Sequence, residues 1–235
     1  MNGRERIQSI DALRGLCVVL MCAHHLLYDC TVNLNAPWSW FSNPVFDALH
    51  YVFAGLFIML SGVSSRFSRS NVKRGIKVLI CAAAVSGVSM LIGSPILFGV
   101  LHFLGLAMVF YGLTGKLLEK LPGPVLPVIC VLLTAASAGL VSGKPTQLRW
   151  LWPLGFTYPG FFSADYFPIL PWIFVFLFGT WLGAVIKEGR MPKRFYTLSP
   201  PLLPQIGRKA LLIYMLHQPV LYGVTFLAGK LAGTV

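Results

Sequence analysis

The sequence predicts an all-α membrane protein, a polytopic bundle of about seven transmembrane helices with its N-terminus in the cytoplasm. Three observations point there. Of the 235 residues, 56% are hydrophobic and 11% are charged, whereas a soluble domain carries about 25% charged residues. Apolar stretches near the length that crosses a hydrocarbon core, about 20 residues, recur along the whole chain. Lysine and arginine gather in alternate connections between those stretches, with a mean hydropathy of +0.74 over the chain.

By hydropathy the spans are expected at residues 12–30, 46–64, 75–93, 96–114, 124–142, 167–186 and 208–228. They leave no room for a soluble domain, and the N-terminus lacks a signal-peptide cleavage pattern. A single membrane-embedded domain over 1–235 is expected. No internal repeat stands out, which argues against a transporter built from inverted halves. Whether residues 143–166 hold a re-entrant segment stays open.

Charge placement sets the orientation. Arg4 and Arg6 precede the first span; Arg66, Arg69, Lys73, Arg74 and Lys77 lie between or beside the second and third. Lys116 and Lys120 follow the fourth, and Lys187, Arg190, Lys193, Arg194, Arg208 and Lys209 follow the sixth. These share one side, opposite Lys144, Arg149 and Lys230, so the positive-inside bias puts the N-terminus in and the C-terminus out. The net charge of +12 is therefore a topology signal, and nucleic acid is not an expected partner. Cys17, Cys22, Cys30, Cys81 and Cys130 fall in or at the ends of apolar segments with no CxxC pair, as packing thiols do. The two outer loops, "TVNLNAPWSWFSNP" and "SGKPTQLRWLWPLGFTYPGFFSADYFPILPW", are aromatic; they suit an interfacial belt or a lid over a sugar acceptor.

The ionisable residues inside the spans are the functional signal. His24, His25, His50, His102 and His217 lie within spans, and Asp11, Asp29, Asp47 and Asp165 lie within or at the ends of them. A carboxylate in hydrocarbon costs about 2.5–3.5 kcal/mol, so such groups face a partner or a wet cavity. Asp11 and Arg14, three apart, are expected to pair near the cytoplasmic interface. Arg14 and His25 are eleven residues apart, about three turns, and share a face about 16 Å apart. His25 and Asp29, four apart, share it too. Asp29 is expected to accept a hydrogen bond from one ring nitrogen and make His25 a better base; the alternative is that His25 packs on another helix through a polar contact. His24 points away. His50, three after Asp47, and His102 are expected to lean toward one outward cavity with His25. No HxxxH pair exists, and no metal is expected. His217 stands before Pro219 in a span expected to kink, lining the cavity or serving structure alone.

"RIQSIDALRGLCVVLMCAHHLLYD", "FAGLFIMLSGVS", "LFGVLHFLGLAMVFYGL", "DYFPILPWIFVFLFGTWLG" and "GRKALLIYMLHQPVLY" together resemble the bacterial branch of the heparan-alpha-glucosaminide N-acetyltransferase catalytic-domain family. The likeness runs in order over nearly the whole chain. The spacing from Arg14 to His25 is also similar to the motif of the acyltransferase family 3 enzymes, which O-acetylate bacterial surface glycans. The resemblance implies one transmembrane acyltransferase-like domain that moves acetyl from cytoplasmic acetyl-CoA to an acceptor across the membrane. It carries a catalytic histidine onto His25 and the motif's arginine onto Arg14. One departure stands out: the lysosomal enzyme uses a histidine in the first outer loop, and residues 30–45 contain none. An acid–base role then rests on His25, or on His50 or His102.

Together these readings predict an acetyltransferase of a bacterial plasma membrane. Arg14, Arg66, Arg69, Lys73 and Arg74 would attract the CoA phosphates. The pantetheine arm would reach up the bundle, and His25, backed by Asp29, would deprotonate a hydroxyl or amine of a glycan or amino-sugar acceptor. Asp11, His24, Asp47, His50, His102, Asp165 and His217 would line the cavity. The acceptor, N- against O-acetylation, an acetyl-histidine intermediate and a homo-oligomer stay open. The competing readings are a small proton-coupled transporter or flippase, and a non-catalytic assembly factor.

Overall fold

The computed structural model describes residues 7–142, 145–198 and 200–234. Arg4, Arg6 and Lys144, which the charge-placement reading used, lie outside them. The described residues form nine α-helices and no strand. In chain order these are α1 (Gln8–Asn33), α2 (Pro44–Ser65), α3 (Asn71–Leu91), α4 (Val100–Leu118), α5 (Val125–Val141), α6 (Ile169–Lys187), the short α7 (Lys193–Thr197) and α8 (Leu203–Arg208), and α9 (Ala210–Ala232). Six of them are long and apolar enough to cross a membrane, and α5 is a shorter apolar helix. The seven expected spans therefore reappear as helices, each with boundaries within a few residues. Leu91, Leu113 and Leu231 are 88%, 73% and 91% exposed; apolar side chains this bare suit lipid rather than water.

The chain divides into two compact units. The first holds residues up to Phe57 and from Met191 onward, hence α1, the N-terminal part of α2, and α7 to α9. Here α1 packs on α8 and α9. Gly15 and Gly207 let two backbones meet: a Cβ on Gly15 would strike the Leu203 carbonyl, and one on Gly207 the Asp11 carbonyl. Small residues at a helix crossing of this kind are how membrane helices gain close packing. Ser9 reinforces the end of α1 by donating its hydroxyl to the Phe195 carbonyl.

The second unit spans Ile58–Arg190, with the C-terminal part of α2 and α3 to α6. Its core holds Ile58, Val63, Phe103 and Phe176, each at most 1% exposed. Gly62 and Gly179 bring α2 and α6 together, since a Cβ on either would meet the Phe176 or Met59 carbonyl. Between α5 and α6 the described chain folds as one 3-10 turn at Arg149–Leu154 with an aromatic cluster around it. Trp152 stacks on Phe161 at 5.8 Å, and its carbonyl accepts the Tyr166 hydroxyl at 2.6 Å.

Candidate active site

Four of the chain's five histidines come together in the first unit. In spatial order they are His217, His25, His24 and His50, with successive ring centroids 4.9, 5.7 and 4.4 Å apart. Helix α1 supplies the middle pair, α9 and α2 the ends. His24 also stacks on Phe46 at 5.2 Å and 10° and touches Phe41, so part of the aromatic first loop covers it. Asp47 occupies the exposed first turn of α2, where the helix dipole favours a carboxylate, three residues before His50. Of the three histidines expected to lean toward one outward cavity, His25 and His50 share this row through His24, whereas His102 bonds to Gly99 and Ser86 instead.

The expected bond from His25 to Asp29 is not formed. The Asp29 carboxylate, 1% exposed, instead accepts from Gln218 Nε2 at 3.0 and 3.3 Å. Helix geometry explains the difference. Positions four apart share a face, but α9 lies against that face: Gln218 takes the carboxylate, and the His25 ring stands edge-on to His217 at 4.9 Å. Two further bridges fasten α1 to the C-terminal part of the chain: Asn33 Nδ2 donates to Thr225 Oγ1 at 2.8 Å, and Thr234 Oγ1 to the Asn33 carbonyl at 2.7 Å. His25 is half-buried and makes no hydrogen bond among the described residues. His217 lies within α9, which runs as one helix through Pro219.

Asp11 and Arg14 pair as the spacing predicts, at 2.8 Å. Asp11 is buried, and Arg208 adds a second cation 3.5 Å from its other oxygen. Arg14 is thus engaged with a carboxylate, and its side chain is 14% exposed.

The second unit carries a polar cavity of about 340 Å³ at the turn between α2 and α3. Arg66, Arg69, Lys116 and Lys187 line it, with Glu119 as the only carboxylate among the lining residues. Ser70 caps α3 by accepting from the Lys73 amide at 3.3 Å. Arg66 donates to Tyr111 Oη at 2.9 Å and pairs with Glu119. Lys73 and Arg74, expected to share this role, are not among the lining residues; one turn into α3, they give way to Lys116 and Lys187 from α4 and α6.

His102 and Asp165, also in the second unit, have structural work that accounts for them. His102 Nδ1 accepts from the Gly99 amide at 3.2 Å, while Nε2 faces Ser86 Oγ at 3.2 Å. Both ring nitrogens are therefore engaged in joining α3 to the start of α4. Asp165 Oδ2 accepts from the Val100 amide at 3.0 Å and sits where a side chain on Gly99 would be, so it caps α4. Among the described residues no three His, Cys, Asp or Glu side chains gather as metal ligands would.

A model of the catalytic region of heparan-alpha-glucosaminide N-acetyltransferase matches residues 6–219. The chain belongs to that family. The match takes in all four clustered histidines and the whole basic cavity. Membership in the heparan-alpha-glucosaminide N-acetyltransferase family, with six membrane-length helices, points to a membrane acetyltransferase. No curated protein and no solved structure matches the chain.

Gln218, Asn33, Thr225, Tyr111, Lys116 and Lys187 are the residues that sequence reasoning missed. Gln218 had a signal, as a second polar residue beside His217 in an apolar helix. The lysines had none, because each reads locally as an ordinary inner-side charge at a helix end.

Proposed function

We propose that the protein transfers an acetyl group from acetyl-CoA to a hydroxyl or amine of a sugar-containing acceptor, with His25 as the general base. The observation that carries the reading is His25 itself. It is a half-buried imidazole in the middle of a membrane-length helix, with no hydrogen bond to a protein group among the described residues. A polar ring in such a place is retained for use rather than for packing. His25 takes the proton of the acceptor as the acceptor attacks the thioester carbonyl. The carbon–sulfur bond then breaks, and His25 returns the proton to the departing sulfur. General-base action of this kind is worth about 10²–10⁴-fold in rate.

Arg66, Arg69, Lys116 and Lys187 supply the phosphate-binding charge, since four cations facing one carboxylate leave an excess that suits a nucleotide diphosphate. The protein sits in a bacterial plasma membrane with the α2–α3 turn on the cytoplasmic side, consistent with the positive-inside bias. Labelling of a cysteine placed at Ser68 only after the membrane is permeabilised tests that orientation; labelling in intact cells contradicts it.

The row of imidazoles also suits a proton-coupled transporter. Purified protein given radiolabelled acetyl-CoA and a panel of amino sugars and glycans separates the two readings. The acetyltransferase releases CoA and labels an acceptor; a transporter moves solute and leaves the thioester intact.

A further inference from the structure

We propose that His217 is a positioning residue for His25: its Nε2 accepts the His25 N–H, fixes the His25 tautomer, and directs the other His25 nitrogen at the acceptor. The proposal rests on the reading of His25 as the base. His217 Nδ1 lies 2.7 Å from the Tyr214 carbonyl oxygen. A carbonyl only accepts, so Nδ1 carries the hydrogen, and in the neutral ring the lone pair is on Nε2. That Nε2 is buried and has no hydrogen-bond partner among the described residues, an arrangement folded proteins avoid unless the group has a use. The His25 ring stands 4.9 Å away, centroid to centroid, at 63°. At that separation, rings whose nitrogens face one another come within hydrogen-bond reach, about 2.6–3.2 Å, and catalytic hydrogen bonds commonly tighten only once substrate is bound.

The neighbours hold His217 in that pose. The next residue, Gln218, is bound to Asp29 on α1, so α9 is fixed against the helix that carries His25. Asp29 thus acts on His25 through the helix it anchors rather than by direct contact. His24 is the competing partner, at 5.7 Å and 83°, but its ring stacks on Phe46 and no backbone carbonyl sets its tautomer among the described residues. In the transfer step the acceptor proton passes to the free His25 nitrogen, the acceptor oxygen or nitrogen bonds to the acetyl carbon, and the carbon–sulfur bond breaks. The same proton then leaves His25 for the thiolate. His217 ends the cycle as it began, having stabilised the transient imidazolium as the third member of a triad does.

The test measures kcat and KM for acetyl-CoA in His217→Ala, His217→Gln, His25→Ala and the doubles with His25→Ala. The expected result is a kcat about a hundredfold lower for His217→Ala with KM within about twofold, the range of an oriented base. His217→Gln, whose amide oxygen still accepts the His25 N–H, recovers part of that loss. Each double variant falls no lower than His25→Ala alone, because the two residues act as one unit. Losses that multiply in the double variants, or His217→Ala turnover within about twofold of the unmodified protein, overturn the proposal. Should His217→Ala not fold, the His217→Gln pair decides by the same comparison. An unmodified protein that consumes no acetyl-CoA removes the base assignment itself; turnover lost in His25→Ala but kept in both His217 variants removes only this one.

Discussion

Gln218 on α9 holds the Asp29 carboxylate on α1 through both oxygens, at 3.0 and 3.3 Å. The pair joins residues 189 positions apart, between helices that Asn33 and Thr225 also bridge. Replacing Gln218 by Leu leaves a carboxylate that is 1% exposed without that donor, at a cost of about 1.5–3 kcal/mol. Thermal unfolding of the purified protein in detergent is expected to shift down by several degrees. Asp29→Asn, which keeps an acceptor for Gln218, is expected to cost less than Asp29→Ala.

Close backbone approach makes a second prediction. Gly15→Ala and Gly207→Ala each drive a methyl group into a carbonyl of the opposing helix, and overpacking of this kind costs about 1–3 kcal/mol. Gly87 in α3 and Gly139 in α5 have nothing within 4 Å of the added carbon. Alanine there is expected to leave melting unchanged or to raise stability by up to about 1 kcal/mol, the ordinary gain at an open helix position. Equal effects at the two kinds of site would contradict the packing described for α1 and α8.

The basic cavity is expected to govern donor affinity rather than chemistry. Arg69→Glu and Lys187→Glu reverse charges that line it, and each is expected to raise KM for acetyl-CoA about tenfold with kcat little changed, the pattern of lost uniform binding. Lys73→Ala, outside the lining, is expected to leave KM within about twofold. Initial-rate kinetics over a range of acetyl-CoA concentrations check all three.

His102→Leu separates structure from catalysis. Both ring nitrogens are engaged, with Gly99 and Ser86, so the substitution is expected to lower the melting temperature while kcat per folded molecule stays near that of the unmodified protein. A kcat loss comparable to that of His25→Ala, without a stability loss, would contradict that assignment.

The helices were legible because each span is a long apolar run with charges at its ends, and neither feature depends on the rest of the fold. Pairing within one helix was half legible. Asp11 and Arg14, three apart at an interface, pair as spacing predicts, since two flexible or charged groups there find each other first. His25 and Asp29, four apart and deeper, do not, because a different helix lies against them: Gln218 takes the carboxylate, and the His25 ring packs edge-on against His217. Spacing fixes which face a residue occupies and is silent on which helix lies opposite. The same limit hid Lys116 and Lys187, which reach the cavity lined by Arg66 and Arg69 from helices distant in sequence.

The most direct test of the base assignment is release of CoA from acetyl-CoA by purified protein, with and without an amino-sugar acceptor, in the unmodified protein and in His25→Ala. The predicted result is acceptor-dependent release that falls by about 10²–10⁴-fold in His25→Ala while thermal unfolding is unchanged. Acetyl-CoA turnover that survives intact in a folded His25→Ala protein would contradict it.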